Sequence, residues 1–375
     1  MNEPGEHPVG SKTIVVIGGG NVGSQLVLHL ARCPAVGRLV IVDPDVVGAQ
    51  NTSQGFSPPD IGRFKAIALA RRARRILRQN PLRVEAIVAR VENVPWGRLR
   101  GDVICGCVDS RLARSWINHI AWRLGIPWID AGIQASGSLA RVQTLIPGED
   151  APCMECHWGA RDLELLNQAY SCDGRLREPG PTGACSALGG LAASLQALDC
   201  QKILNGPIEQ SLRGRQLIVE AKFHHQYVNT LSFNPVCRFD HKIWSIQRAP
   251  ATVRTVGDLF EHGRKFFGEL PAAIGAERKS WVTRLACREC GQQARALRLQ
   301  GRIGPRLRRC GQCGGDLQPI GFHLRARIDL HSAGDRLLAR PLRHVGLRGG
   351  DVLTLSGAHP DQHIELSPTE EPGRN

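Results

Sequence analysis

A strand followed at once by a glycine-rich turn and a helix constrains this chain more than any other feature. Residues 13–17 (TIVVI) form a short apolar, β-branched run of the kind that is buried in parallel sheets. Gly18, Gly20 and Gly23 follow in the pattern G-x-G-x-x-G and lead into SQLVLHLARC, which has helical periodicity. Such a turn between a parallel strand and a helix N-terminus can cradle phosphate groups, so the sequence predicts a nucleotide-binding fold at its start.

Strand-like and helix-like segments alternate from this turn to about residue 130. This alternation predicts the fold class α/β, with a doubly wound, Rossmann-like and mostly parallel sheet. After residue 136, strand-like runs at 139–146, 216–219 and 227–233 predict an antiparallel extension of that sheet. A composition shift near residue 250 predicts a small C-terminal β domain.

Charge and cysteine content narrow the class of protein further. The 375 residues carry a formal net charge of +14 and 13 cysteines. No apolar run is long enough for a membrane helix, and the N-terminus lacks a signal-peptide core, so we expect a cytoplasmic protein without membrane contact. In a cytoplasmic protein, an odd number of cysteines favours metal ligands or a reactive thiol over disulfides. The charge indicates either an acidic partner or a generally basic surface.

Polar residues after the first strands favour a nucleoside triphosphate over NAD. Asp43 stands 25 residues after Gly18, where a carboxylate can accept hydrogen bonds from ribose hydroxyls. Asp45, Lys65 and Asp109 follow, and a lysine with an additional carboxylate suits a triphosphate and Mg²⁺. An NAD-dependent oxidoreductase is the alternative that these residues argue against.

Four segments in order resemble the ThiF/MoeB/HesA family of adenylating enzymes, over roughly residues 11–245. They are VVIGGGNVGSQLVLHLAR, VDPDVV with a later asparagine, DIGRFKA and CVDSRLARSWIN. The resemblance implies an enzyme that binds ATP and Mg²⁺ and adenylates the C-terminal glycine of a small protein, releasing pyrophosphate. Many members then transfer the acyl group to a cysteine, and members usually form homodimers.

The resemblance also assigns roles to individual positions. It implies a nucleotide site at Gly18, Gly20, Gly23, Asp43, Asp45, Asn51, Gln54, Lys65 and Asp109. Within this site Lys65 would contact the phosphates and Asp109 would hold Mg²⁺, whereas Arg114 and Asn118 are interpreted as structural. The family usually has an arginine where this chain has Gln54; Arg63 is a nearby basic residue that could compensate.

Two cysteines are candidates for the thioester nucleophile. Family members carry it in a crossover loop ahead of a helix, which corresponds here to residues 186–204. Cys172 begins a charged, Pro- and Gly-rich stretch, where Arg175 and Arg177 would favour its thiolate. Cys185 stands at the start of the helix, where the positive end of the helix dipole favours a reactive thiol. Cys172 is the preferred candidate and Cys185 the alternative.

A first zinc site is predicted around Cys153 and Cys156. Two thiolates in a C-x-x-C turn can bind one zinc ion, but two further ligands are needed. In the family a second pair follows much later, and the matching segment here, NPVCRFDH, contains Cys237 and His241. His157 is a rival to His241.

A second zinc site lies outside the resemblance. Cys287-x-x-Cys290 is followed after 19 residues by Cys310-x-x-Cys313, and a glycine follows each pair. This spacing predicts a structural zinc ribbon.

The charge concentrates around this ribbon and in one helix. Residues 284–309 contain eight arginines and one acidic residue, and residues 63–78 contain seven basic residues and none that are acidic. Either segment can contact nucleic acid or an acidic protein. Aromatic residues are few near the ribbon, so base stacking, and nucleic acid as a partner, are not favoured.

These observations define four segments and a leading function. We expect disorder at residues 1–10 and 367–375, a ThiF-like adenylation domain at 11–248 with its crossover loop near 170–185 and an inserted zinc site, and a zinc-ribbon and β-rich domain at 249–366. The predicted function is activation of a ubiquitin-like protein, with a conjugating enzyme as a further candidate partner. The alternatives are a sulfur-carrier adenylyltransferase of the thiamin or molybdopterin type, and a ribbon adaptor with an inactive nucleotide domain.

Overall fold

A computed structural model describes residues 11–76, 81–168 and 185–368, which form two compact units. The first unit contains residues up to 94 together with residues 99–243. The second contains residues 95–98 and the chain from residue 244 onward. Within the described ranges, no helix combines the length and the apolar composition that crossing a bilayer requires.

The first unit begins with alternating strands and helices and ends with three antiparallel strands. Its elements are β1 (Lys12–Ile17), α1 (Asn21–Arg32), β2 (Val36–Val42), α2 (Lys65–Arg74), β3 (Arg83–Ile87), β4 (Val103–Gly106), α3 (Arg111–Leu124), β5 (Trp128–Gln134), β6 (Leu139–Leu145), α4 (Ala160–Gln168), α5 (Ser186–Asn205), β7 (Arg215–Glu220) and β8 (His225–Thr230).

Eight strands of this unit form one sheet in the order β3-β2-β1-β4-β5-β6-β7-β8. The pairs from β3 to β5 are parallel, and those from β5 to β8 are antiparallel. The predicted α/β fold with a mostly parallel sheet and an antiparallel extension is therefore confirmed.

Burial explains why the first strands consist of continuous apolar residues. Ile14, Val15 and Val16 of β1 are completely buried, because β1 lies between β2 and β4 and helices cover the sheet. Helix α5 lies against α1, where the Asn21 Nδ2 donates to the Cys185 carbonyl at 3.1 Å. The helix predicted at residues 186–204 thus contacts the helix that follows the glycine turn.

The strand order creates a crevice beside the glycine turn. From β1 the chain passes to β2 on one side, whereas β4 pairs with the other side of β1. Loops leaving β1 and β4 therefore diverge at this point, and in doubly wound sheets ligands bind in such a crevice at the carboxyl ends of the strands.

The second unit contains two smaller sheets. Its elements are β9 (Ile246–Arg248), α6 (Val256–Phe267), β10 (Ala273–Gly275), β11 (Trp281–Cys287), β12 (Gln293–Leu299), β13 (Leu317–Pro319), β14 (Leu324–Arg325), β15 (Arg327–Asp329), α7 (Asp335–Leu338), β16 (Val352–Ser356) and β17 (Gln362–Glu365). One sheet has the order β15-β10-β16-β17-β9, and the other has the order β12-β11-β13 with β14 also paired to β11.

A buried ion pair joins the two sheets of this unit. Arg302 follows β12, and its Nη2 donates to Asp351 Oδ1 at 2.6 Å just before β16. Both side chains are almost fully buried. A buried charge left without its partner is costly, so each residue requires the other.

Candidate functional site

The glycine turn brings backbone amides to the crevice and excludes side chains from it. Gly18 has a φ of +98°, and a Cβ there would lie 2.5 Å from the Cys107 carbonyl oxygen. A Cβ on Gly23 would lie 1.9 Å from the Gly18 carbonyl oxygen. Gly20 faces open space instead, directly before α1. The turn therefore leaves room at Gly20 for a phosphate group beside the N-terminus of α1.

Asp43 is held against this turn at the end of β2. Its Oδ2 accepts a 2.6 Å hydrogen bond from the Gly19 amide, and its Oδ1 accepts a 2.8 Å bond from the Asp45 amide. Burial raises the pKa of this carboxyl above its usual value. The carboxylate thus shapes the turn, and its role in binding a nucleotide ribose stays a prediction.

Lys65 and Asp45 form an ion pair near the same edge of the sheet. Lys65 Nζ lies 2.9 Å from Asp45 Oδ2, and the lysine side chain is 12% exposed whereas the aspartate is 53% exposed. The Lys65 amide also donates to the Asp45 carbonyl at 2.8 Å. Because Lys65 is the first residue of α2, backbone and side chain together direct its ammonium group toward the loop that follows β2.

Asp109 follows β4, on the other side of the crevice. It is exposed, and the preceding residues Cys107 and Val108 pack against the position of Gly18. Within the described ranges, Asp109 belongs to no group of three metal-binding side chains. Mg²⁺ in nucleotide sites usually takes one or two carboxylates with phosphates and water, so a single carboxylate fits that donor set. Its role as a Mg²⁺ ligand stays a prediction.

The segment around Gln54, where the family usually has an arginine, is stabilised by a side chain of α2. Asn51 is buried, and its Nδ2 donates to Gln54 Oε1 at 3.3 Å. Arg72 donates to the Gly55 carbonyl and pairs with Asp60 at 2.5 Å. Arg63 donates instead to the Pro59 carbonyl, at 3.2 Å. Arg72, which the sequence reasoning passed over, is therefore the arginine that orders this segment.

A buried carboxylate within β5, Asp130, was also not predicted as part of the site. Asp130 is completely buried and accepts from Arg114 Nε at 3.0 and 3.1 Å and from Arg141 Nη2 at 2.7 Å. Asn118 accepts a hydrogen bond from the Met154 amide at 3.0 Å. These contacts are consistent with the structural interpretation of Arg114 and Asn118. An aspartate directly after the apolar run at residues 126–129 was the available signal for Asp130.

Of the two candidate nucleophiles, only Cys185 lies in the described part of the chain. It is exposed and directly precedes the 20-residue helix α5. Cys172 lies outside the described residues.

The first cysteine cluster contains the four residues predicted to bind zinc. The ligand atoms of Cys153, Cys156, Cys237 and His241 lie within 4.8 Å of one another. Both Cys156 and Cys237 Sγ lie 3.8 Å from Cys153 Sγ, and His241 Nε2 lies 3.2 Å from Cys156 Sγ. A tetrahedral zinc ion with Zn–S bonds of about 2.3 Å holds its sulfur ligands about 3.8 Å apart, so this donor set fits zinc. His157 is exposed and lies outside the group.

Glu155 connects the two halves of this cluster. It lies between Cys153 and Cys156 and is buried, where it accepts from Ser115 Oγ at 2.7 Å. Arg238, next to Cys237, pairs with its other oxygen at 2.7 Å. This ion pair holds the returning segment beside the C-x-x-C turn.

The second cluster unites the two C-x-x-C turns of the second unit. The sulfur atoms of Cys287, Cys290, Cys310 and Cys313 lie within 4.8 Å of one another. The Cys287–Cys313 and Cys290–Cys310 separations are 3.4 and 3.6 Å. Four cysteine thiolates at this spacing fit a structural zinc ion.

Comparisons with known proteins identify the first unit. A sequence model described as the ThiF family matches residues 1–239, which is more than half of the chain.

The chain belongs to the ThiF family.

Individual relatives of this ThiF-family protein match a shorter region. Ubiquitin-like modifier-activating enzyme 5 of Dictyostelium discoideum is 29% identical over 162 residues, covering 38% of this chain and 41% of that protein. The protein of the same name from Oryza sativa subsp. japonica is 30% identical over 161 residues, covering 38% and 37%. The chain therefore spans about two fifths of the length of these relatives.

Solved structures of E. coli MccB are also similar to the ThiF-family chain. The structure of MccB with succinimide has a TM-score of 0.49 and 20% identity, and covers 61% of this chain and 67% of that one. The structure of MccB with ATP has a TM-score of 0.48 and the same identity.

The two cysteine clusters predict a metal content that can be measured. We expect the purified ThiF-family protein to hold two zinc ions per chain, because both donor sets fit zinc. Replacing Cys156 or Cys310 with serine should remove one ion in each case, since it deletes one ligand. Plasma mass spectrometry measures the zinc concentration, and dividing it by the protein concentration gives the number of zinc ions per chain.

A cysteine outside both clusters provides the matched control. Cys185 is exposed and belongs to neither group, so Cys185→Ser should retain two zinc ions. A ratio of one in the unsubstituted protein would contradict the assignment, and the two serine variants would show which cluster binds the ion.

Proposed function

We propose that this protein is an ATP- and Mg²⁺-dependent enzyme that adenylates the C-terminal glycine of a ubiquitin-like protein and then binds that glycine as a thioester. One observation carries the proposal: the Gly18–Gly23 turn, Asp43 and the Lys65–Asp45 pair converge at the crevice of a ThiF-family sheet. Amides, a ribose-binding carboxylate and a cation are the groups that a nucleoside triphosphate requires.

The first step is an in-line displacement at phosphorus. A carboxylate oxygen of the partner's terminal glycine bonds to the α-phosphorus of ATP, while the bond from that phosphorus to the bridging oxygen of the β-phosphate breaks. The products are an acyl adenylate and pyrophosphate. Lys65 and the amides at Gly20 would neutralise charge that develops on the phosphates. Asp109 would hold Mg²⁺, which supplies further positive charge to the phosphates.

The second step transfers the acyl group to sulfur. A thiolate attacks the carbonyl carbon of the mixed anhydride, the carbon–oxygen bond to AMP breaks, and a thioester forms. Cys172 is the proposed nucleophile, because Arg175 and Arg177 follow it in the sequence and would favour its thiolate. Cys185, at the N-terminus of α5, is the alternative. We further propose that the enzyme acts as a homodimer and passes the thioester to a conjugating enzyme.

Isotope exchange tests the adenylation step directly. Full-length protein is incubated with ATP, Mg²⁺, labelled pyrophosphate and each small glycine-terminated protein encoded beside the gene. Label should enter ATP only with the correct partner, since the reverse reaction needs the acyl adenylate. The same partner without its terminal glycine is the control. If ATP binds but no partner supports exchange, the proposed adenylation is wrong.

A further inference from the structure

The ribbon of the second unit, residues 281–327, carries a large excess of arginine. It has ten arginines, no lysine and only two acidic residues, Glu289 and Asp316. Most of the arginine side chains are exposed. Among the exposed arginines of the ribbon, all of them described by the structure, seven form no ion pair: Arg284, Arg295, Arg306, Arg308, Arg309, Arg325 and Arg327. Such a surface attracts a polyanion and repels basic partners.

Two of these arginines face each other across neighbouring strands. Arg284 on β11 pairs in register with Arg295 on β12, next to the pair Leu285–Ala294. Leu285 and Ala294 pack in the core of the ribbon, so the arginine pair lies on the opposite, exposed face of the sheet. Like charges directly opposite each other destabilise a sheet. An anion bound at this face would remove that repulsion.

An exposed aromatic ring lies in the segment that is hydrogen-bonded to β11. Phe322 is 72% exposed, and its ring centroid lies 4.6 Å from that of His323. The His323 carbonyl accepts from Thr283 Oγ1 at 3.0 Å, and Thr283 directly precedes Arg284. Aromatic residues are few in this region, but their number alone did not indicate that one of them would be exposed and available for stacking.

A cleft next to the second C-x-x-C turn adds further donors. It has a volume of about 430 Å³, and its lining includes Arg308, Arg309 and Asp316. Arginine side chains are common phosphate ligands in nucleic-acid complexes.

We propose that the ribbon binds single-stranded nucleic acid, with Phe322 stacking on a base and the arginines contacting phosphates. An acidic protein would satisfy the arginines but gives no reason for an exposed phenylalanine in the same ribbon. A duplex would hide its base faces from Phe322, whereas single strands expose them to aromatic side chains and guanidinium planes. This activity is independent of the proposed adenylation.

Fluorescence anisotropy of a labelled twelve-nucleotide oligo-uridine, with full-length protein at 50–200 mM salt, tests the proposal. Phe322→Ala should weaken binding about 5- to 100-fold, the usual range for one base–aromatic stack. Phe223→Ala is the matched control, because Phe223 is also exposed (57%) and lies near a histidine but belongs to the first unit. It should bind like the unsubstituted protein.

The arginine face is tested through the salt dependence. Arg284→Gln with Arg295→Gln should lower the slope of log affinity against log salt by about 0.7 for each phosphate that the variant no longer neutralises. The variant removes a repulsive pair, so its zinc content and unfolding temperature should not fall. Arg264→Gln is the control, because Arg264 pairs with Glu261 on α6.

Three results would overturn the proposal. The first is that protein with intact zinc content fails to bind the oligonucleotide at 50 mM salt. Another is that poly-glutamate competes as well as unlabelled oligo-uridine does and that Phe322→Ala has no effect. This result would indicate an acidic protein as the partner. The last is binding of duplex and single strand with equal affinity, again without an effect at Phe322, which would indicate phosphate contacts alone.

Discussion

Lys65→Ala is expected to lower partner-dependent ATP–pyrophosphate exchange by about 10²–10³-fold, the usual loss when one preorganised charge-stabilising group is removed. The Lys65 ammonium group pairs with the exposed Asp45 at 2.9 Å at the crevice, so a phosphate can share or replace that partner. The Asp45 side of this pair is 53% exposed, and ion pairs that solvent reaches contribute about 1 kcal/mol or less to folding. The free energy of unfolding should therefore change little while exchange is lost.

A second lysine of the same sheet provides the matched control. Lys12 pairs with Asp102 at 3.2 Å, but it begins β1 and thus lies at the strand end opposite to the glycine turn. Lys12→Ala should exchange pyrophosphate like the unsubstituted enzyme. Lys65→Arg should remain impaired, because a planar guanidinium does not reproduce the compact ammonium charge. Near-normal exchange by Lys65→Ala would show that its pair with Asp45 is purely structural.

Cys172→Ala is expected to abolish the thiol-sensitive adduct between enzyme and partner while leaving pyrophosphate exchange intact. Adenylation needs no thiol, whereas the thioester cannot form without its sulfur atom. Non-reducing electrophoresis with ATP and partner, with and without dithiothreitol, detects the adduct, and isotope exchange is measured on the same preparation.

Cys185→Ala separates the two candidate nucleophiles. Cys185 is exposed at the start of α5, and its variant should retain the adduct if Cys172 is the nucleophile. The reverse pattern would assign the thioester to Cys185. An adduct that persists in the double variant would contradict the thioester proposal, although adenylation would stand if exchange continues.

Local patterns were sufficient to predict the alternating strands and helices at the start of the first unit, although not α4. The apolar run before Gly18 and the helical periodicity after Gly23 depend on neighbouring residues, and the fold class that they predicted is confirmed. Each C-x-x-C turn could equally be predicted as a pair of metal ligands, because only two residues separate its cysteines.

Contacts between distant segments were harder to predict. Cys237 and His241 could be matched with Cys153 only through the family resemblance, because 84 residues separate Cys153 from Cys237. No comparable pattern pointed to Arg72, which reaches back to Gly55 and Asp60 from α2. Nor did any pattern indicate that Arg114 and Arg141 meet at Asp130.

The physical difference lies in the range of the interactions. Glycine sterics and strand or helix periodicity act over a few residues, so the Gly18–Gly23 turn, its flanking elements and the cysteine pairs follow from the amino-acid order alone. Strand register and burial arise when segments far apart in the chain pack together. Register placed Arg284 opposite Arg295, and packing left Phe322 exposed. Neither feature follows from the amino-acid order alone.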